Sequence, residues 1–182
     1  MNLGQTLLSA AALVLLTVLV VNAHRLVVYS SDEIVKAEAR DMAVNVAQSL
    51  LNEISRKKFD EKALPYPYPY QPPTDFTAAA ALGPEGTEPV SPLPDKVDSA
   101  GSFMSNAKFN DVDDYHRYSR LVNTELVKAL RCTVTVTYQI HRDSSRVQTA
   151  PPSYRTHIKR VVVMVTHSSF SDTLRFFRII AY

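Results

Sequence analysis

The densest group of chemically capable side chains is the acidic stretch FNDVDDY at residues 109–115. Its oxygen donors are Asn110, Asp111, Asp113 and Asp114. Four such donors could bind Ca²⁺, which takes about six to eight oxygen ligands, although the stretch lacks the central Gly and terminal Glu of the helix–loop–helix calcium motif. The alternative is a turn in which the Asp side chains accept hydrogen bonds from local backbone N–H groups and Phe109 and Tyr115 are buried as anchors. We favour the turn and assign no metal ligand.

The other reactive side chains do not form a recognisable catalytic or metal-binding pattern. Five histidines are scattered along the chain without a pair at metal-ligand spacing, and a single cysteine excludes a cysteine cluster. The histidines are His24, His116, His141, His157 and His167. The sequence contains neither a glycine-rich phosphate loop nor a G-x-S-x-G elbow. We therefore expect no enzymatic activity and no cofactor.

Cys132 is expected to be structural. No intrachain disulfide is possible with one cysteine, and Cys132 lies in an alternating apolar pattern that predicts a small buried side chain. The formal net charge of +2 gives no basic footprint, so nucleic acid is not a predicted partner.

The last third of the chain predicts a small antiparallel sheet. Residues 131–140 alternate strictly between apolar and polar side chains, which is the period of a half-buried strand. The core-facing side chains would be Val134, Val136, Tyr138 and Ile140. The continuous valine run within residues 158–167 predicts a central strand, and residues 174–182 predict a third. Short polar connections make these three strands a meander.

The first part of the chain predicts a membrane-spanning helix. Residues 5–23 contain no charged side chain, and roughly 20 apolar residues at about 1.5 Å each cross a hydrocarbon core of about 30 Å. We place the transmembrane helix at residues 5–29. Two alternatives stay open: a buried core helix, and a secretory signal cleaved after Ala23.

Residues 30–64 continue as a predicted amphipathic helix. Its apolar stripe comprises Val35, Ala39, Met42, Ala43, Val46, Leu50 and Ile54, widened by Ala47 and Leu51. No breaker separates it from the span, and Pro65 is expected to end it near Leu64. The prediction is an α+β fold in which one rod packs on the sheet. A Pro-rich, low-complexity loop would cover residues 65–108, and the sheet domain residues 109–182.

The beginning of the sequence resembles the N-terminus of type IV pilins. The resemblance rests on residues 4–8, Gly-Gln-Thr-Leu-Leu, before an apolar helix that runs into an amphipathic one. The minor pilins and the pseudopilins of type II secretion share this plan. Further similarity lies in AQSLLNEISRKKFDE at residues 47–61, in FNDVDDYHRYS at residues 109–119, and in the strands TVTVTYQI and KRVVVMVTH.

This resemblance implies a processing event and a location. Residues 1–4 would be a leader, and a prepilin peptidase would cut between Gly4 and Gln5. The chain would then be a single-pass protein of the bacterial inner membrane with its C-terminal domain outside, although Arg25, Lys36 and Arg40 after the span weakly favour the opposite orientation.

The family pattern is not complete in this sequence. The leader has no basic residue, and Ser9 stands where the family usually carries a glutamate that sets assembly register. The resemblance therefore implies a minor or tip-like filament subunit that meets other pilin-like subunits through its N-terminal helix. The alternative is a single-pass anchored extracytoplasmic binding or adhesion domain that does not polymerise.

Overall fold

The computed structural model describes residues 2–65, 70–125, 127–143, 146–151 and 154–182. Part of the Pro-Tyr repeat, at 66–69, lies outside the described residues. The fold is α+β, as predicted: one long helix followed by an open antiparallel sheet.

Helix α1 runs without interruption over Leu3–Ile54, a length of 52 residues. No Gly or Pro occurs between Gly4 and Pro65, so nothing interrupts the backbone hydrogen bonds. The predicted single rod is confirmed, but its predicted end near Leu64 is wrong.

The helix ends early because the following residues bond to another part of the chain. The Lys57 N–H tightens the last turn by donating to the carbonyl of Ile54 (3.1 Å). Lys58 then pairs with the acidic turn, donating to the carbonyl of Asn110 (3.3 Å) and accepting from the N–H of Val112 (2.9 Å). These long-range bonds replace further helical turns.

Within the described residues the sheet has five strands, two more than predicted. They are β1 (Ser119–Val122), β2 (Leu130–Asp143), β3 (Arg146–Thr149), β4 (Ile158–Thr166) and β5 (Leu174–Ala181). The order is β1-β2-β4-β5 with β3 paired to β2, and all pairs are antiparallel. The predicted meander corresponds to β2, β4 and β5. The two missed strands have four residues each, too short to show a period and ordered by pairing with β2.

The core lies between the C-terminal half of α1 and one face of the sheet. The helix contributes Ala39, Ala43, Ala47, Leu50, Leu51 and Ile54. The strands contribute Leu130, Cys132, Val134, Val136, Val161, Val163 and Val165. Two predicted core positions are wrong: Val35 is 54% exposed because it lies before the packed part of the helix, and Ile140 is half-buried while Gln139 is buried.

The Pro-rich segment is irregular and anchored at a few points. Its helices are the 3₁₀ turns Pro73–Asp75 and Ala79–Ala81 and the short α2 (Met104–Lys108). Phe76 is fully buried against Phe59, with ring centroids 5.1 Å apart, and Val90 joins the main core. This anchoring brings residues 82–90 next to the acidic stretch.

Candidate functional site

The first candidate site is the surface of the N-terminal half of α1. Every residue from 3 to 35 is exposed, including large apolar side chains such as Leu8 (76%) and Leu15 (71%). At about 1.5 Å per residue this exposed half is about 50 Å long, more than the roughly 30 Å of a hydrocarbon core. Among the described residues, one helix is long and apolar enough to cross a membrane, and it is α1.

Hydroxyl groups in this half bond to the helix itself. Thr6, Ser9, Thr17 and Ser31 each donate to a backbone carbonyl three or four residues earlier, at 2.8–2.9 Å. Placing a hydroxyl in lipid costs much less free energy when its hydrogen bond is made within the helix. The uncharged part of this surface, residues 5–23, is therefore suited to a hydrocarbon environment despite its hydroxyl groups.

Gly4 and Gln5 lie in the first turn of α1 and are exposed. Apart from the adjacent helix backbone and its two chain neighbours, no described atom lies within 4 Å of the position that a Cβ on Gly4 would occupy. Ser9 donates a hydrogen bond to the carbonyl of Gln5 (2.8 Å). Because its hydroxyl is neutral, it does not supply the negative charge of the glutamate that pilins usually carry at this position. Cleavage between Gly4 and Gln5 stays a prediction.

A buried ion pair fixes the direction of α1 relative to the sheet. Arg120 of β1 donates from both terminal nitrogens to the carboxylate of Glu53, at 2.9 and 2.8 Å, the bidentate geometry that gives strong charge-assisted bonds. Tyr115 donates to the same carboxylate (2.6 Å), and the Arg120 guanidinium stacks 4.2 Å from the ring centre of Phe103. These contacts hold the exposed half of the helix out from the domain.

The second candidate site is the acidic stretch, which forms the turn that the sequence favours. Asp111 Oδ1 accepts from the N–H groups of Asp113 (2.7 Å) and Asp114 (3.2 Å). Asp114 Oδ2 accepts in return from those of Asn110 (2.8 Å) and Asp111 (3.1 Å). Phe109 and Tyr115 are buried, 4.8 Å apart between ring centres. The predicted turn and its aromatic anchors are confirmed.

Asp113 is directed away from this turn to a buried lysine. Lys159 Nζ pairs with Asp113 and with Asp60 (2.9 Å), and all three side chains are fully buried. Burial opposes ionisation of Asp60, but Lys159 outweighs it and lowers the pKa of Asp60. Burial raises the pKa of Asp113 to about 8, despite Lys159. Near neutral pH the Lys159 ammonium therefore balances the charged Asp60 carboxylate and bonds an Asp113 side chain that burial keeps largely protonated.

Asp111 and Asp114 face two glutamates from the Pro-rich segment. Carboxylate oxygens of Glu85, Glu88 and Asp114 lie within 4.8 Å of one another, and the side-chain amide of Asn110 donates to Glu88. Burial, with repulsion from neighbouring carboxylates, raises the pKa of Asp111 to about 6 and that of Asp114 to about 7. The structure thus places Glu85 and Glu88 next to the predicted oxygen donors and removes Asp113 from them.

Among the described side chains, Cys132 and three of the histidines make structural contacts; the side chain of His141 lies outside the described residues. Cys132 is fully buried, as predicted, and burial raises the pKa of its thiol to about 11. Of the histidines, His157 stacks on Tyr182 (5.9 Å) and His167 bonds the carbonyl of Lys128 (2.7 Å). His116 accepts from the N–H of Val136 (3.3 Å).

Sequence reasoning missed Lys159, Asp60, Glu85 and Glu88. The burial of Lys159 could have been predicted from the sequence. Alternate residues of a strand face the same side, so Lys159 lies on the same buried face of β4 as Val161, Val163 and Val165. No sequence pattern indicated the position of Glu85 and Glu88, because only the course of an irregular segment brings them to the turn.

Comparison with protein-family models, with curated proteins and with solved structures finds no match to this chain. Its function is therefore inferred from its fold and its surfaces.

Proposed function

We propose that this chain is a non-enzymatic structural subunit of a type IV pilus-like or pseudopilus filament, in a minor or tip-like position. Before assembly it is held in the bacterial inner membrane by the first half of α1, with the sheet domain on the extracytoplasmic side. The observation that carries the proposal is the division of α1: residues 3–35 are exposed and mostly apolar, whereas residues 39–54 pack on the sheet.

The division suggests how such a subunit works. In the bilayer, acyl chains surround the apolar half; in a filament, the same side chains would contact the helices of neighbouring subunits. Small side chains at an interface let helices approach closely, and Ser9, Ala10, Ala11 and Ala12 form such a run. Assembly then exchanges one apolar environment for another and needs no conformational change in the sheet domain.

Ser9 supports a tip-like position. An unpaired carboxylate in lipid is costly, so a subunit that has no neighbour above it gains nothing from the family's glutamate. In this chain a self-satisfied hydroxyl occupies the position.

N-terminal sequencing of the mature chain tests the processing step. A start at Gln5 supports the proposal, a start at His24 indicates secretion after signal cleavage, and an intact Met1 indicates a plain anchor. The variant Gly4→Leu should abolish the start at Gln5. A Cβ at this position is in open space and the residue is exposed, so loss of cleavage would reflect recognition by the peptidase.

Disulfide crosslinking in intact membranes tests assembly. Cysteine pairs introduced within residues 7–21 should give crosslinked dimers and longer ladders if subunits pack through α1. The parent chain is the control, because its Cys132 is fully buried and should give no crosslink. Processing at Gln5 without any crosslink would contradict polymerisation and leave the single-pass binding domain as the function.

A further inference from the structure

The turn at residues 110–114 and the segment at residues 82–90 together make a compact group of oxygen atoms. Carboxylate oxygens of Glu85, Glu88 and Asp114 lie within 4.8 Å of one another. Two oxygens bound to the same Ca²⁺ at 2.3–2.6 Å are at most about 5 Å apart. The three groups are thus close enough to share one ion without rearrangement of the backbone.

Several buried side-chain oxygens in the turn lack a hydrogen-bond partner, which independently indicates that a ligand binds here. Among the residues that the structure describes, Asp114 Oδ1 and Asp111 Oδ2 have no hydrogen-bond partner, and both residues are 0% exposed. Asn110 Oδ1 is also buried without a partner, although its amide nitrogen contacts Glu88. Buried oxygens are normally hydrogen-bonded, and leaving one unpaired is unfavourable, most of all on a charged group.

Protein cations do not balance these carboxylates. Within the described part of the chain, the ion pairs are those of Lys36, Arg120 and Lys159, and none of them reaches Glu85, Glu88, Asp111 or Asp114. Lys159, whose charge acts on the Asp111 carboxylate, is already bound to Asp60 and Asp113.

We propose that Glu85, Glu88 and Asp114 form a Ca²⁺ site, with the unpartnered oxygens of Asn110 and Asp111 as further donors in the same turn. The all-oxygen donor set and the high share of carboxylates suit a hard divalent cation. Glu85 is exposed and Glu88 half-exposed, so the ion enters from solvent. Water would complete the coordination.

Such an ion links two segments that are otherwise joined by few bonds. The contacts between them include the Asn110–Glu88 hydrogen bond and the bond from Lys108 Nζ to the carbonyl of Pro89 (2.9 Å). Ca²⁺ would fix the Pro-rich segment against the base of α1, where Lys58 pairs with Asp111. This inference does not depend on whether the chain polymerises.

Calorimetric titration of CaCl2 into the full chain in detergent micelles, after removal of divalent ions with EDTA, tests the site. We expect binding of one ion per chain and a rise in the midpoint of thermal unfolding. MgCl2 should bind at least tenfold more weakly, because Mg²⁺ demands a tighter octahedral geometry and retains its water.

The variants Glu85→Gln and Glu88→Gln should each weaken Ca²⁺ binding at least tenfold. Glu85 is the more informative position, because it is exposed and its loss leaves the turn intact; Asp114→Asn also removes a backbone cap and is less clean. Asp172→Asn is the matched control, since it removes one exposed carboxylate in the loop between β4 and β5. It should keep parental affinity.

Three results would overturn the proposal. One is the absence of binding heat and of any thermal shift up to about 10 mM Ca²⁺, ten times the weakest dissociation constants of extracellular calcium modules. Another is undiminished binding in both glutamate variants, which would locate the ion elsewhere. The third is equal affinity for Mg²⁺.

Discussion

Lys159 illustrates how a single residue can determine the organisation of a whole end of the domain. Its ammonium is fully buried, donates to the carbonyl of Phe59 (2.7 Å) and pairs with Asp60 and Asp113. Through these bonds β4 holds both the chain that leaves α1 and the acidic turn. A buried charge is tolerated only when its partners are in place.

Replacing Lys159 by Met should destabilise the domain by about 3–5 kcal/mol, because the buried Asp60 carboxylate loses its counter-ion and Asp113 loses a hydrogen-bond partner. Urea unfolding of the full chain in detergent, followed by near-UV circular dichroism of the buried tyrosines, measures the change. Lys128→Met, at an exposed position, is the control and should shift stability by less than about 0.5 kcal/mol. A near-neutral effect of Lys159→Met would contradict the ion-pair assignment.

Cys132 should be unreactive in the folded protein. Burial raises the pKa of its thiol to about 11, so roughly one thiol in a thousand is ionised at pH 8, and the thiolate is the reactive form. Iodoacetamide followed by mass spectrometry should give no adduct in the native chain and complete modification in urea. Rapid native labelling would mean that β2 separates from α1 in solution.

At the scale of elements, the side chains of α1 that contact the sheet become larger toward the C-terminal end of the helix. Ala39, Ala43 and Ala47 are each no more than 1% exposed, and Leu50 and Ile54 follow toward the C-terminal end of the helix. Methyl side chains let the helix lie close to the sheet where it first arrives, and larger side chains fill the space further along. The buried side chains from Ala39 to Ile54 therefore contact the sheet over about four helical turns.

Ala43→Leu should destabilise the domain by about 1–3 kcal/mol, because added methylenes in a close-packed core force side chains and backbone apart. The same substitution at Ala37, which is exposed on the same helix, is the matched control. It should change stability by less than about 0.5 kcal/mol. Urea unfolding compares the two, and equal effects would show that the helix does not pack as described.

For the whole molecule, one helix serves two environments. Residues 3–23 present apolar side chains on all sides, whereas residues 39–54 present them on one side only, toward the sheet. An all-round apolar helix needs lipid or other helices to cover it, while an amphipathic one needs a single partner surface. The transition between the two lies where the sheet begins to cover α1.

Leu15→Arg should weaken membrane retention. An arginine near the centre of a span costs about 2.5–3.5 kcal/mol on insertion scales. Alkaline carbonate extraction measures retention: the parent chain should stay in the membrane pellet, and the variant should appear partly in the supernatant. Gln48→Arg, exposed in the part of α1 that packs on the sheet, should extract like the parent. Full extraction of the parent would contradict the membrane anchor.

The features that the sequence predicted all rest on local periodicity. Residues 5–23 are apolar throughout, Val134 and Val136 alternate with threonines, and Ala39 to Ile54 recur at helical spacing. Each pattern reports which side of one element is buried, and that is decided by side chains a few positions apart. Hence the long helix, the α+β fold, the meander and the burial of Cys132 were all predictable.

Only the tertiary structure decided where distant segments meet. Lys159 pairs with Asp60 and Asp113, 99 and 46 positions away, and Glu88 reaches Asn110 across 22 positions of irregular chain. The end of α1 at Ile54 and the strands β1 and β3 likewise depend on partners elsewhere in the sequence. Such contacts leave no period in the sequence, because their free energy arises only once the fold brings both partners together.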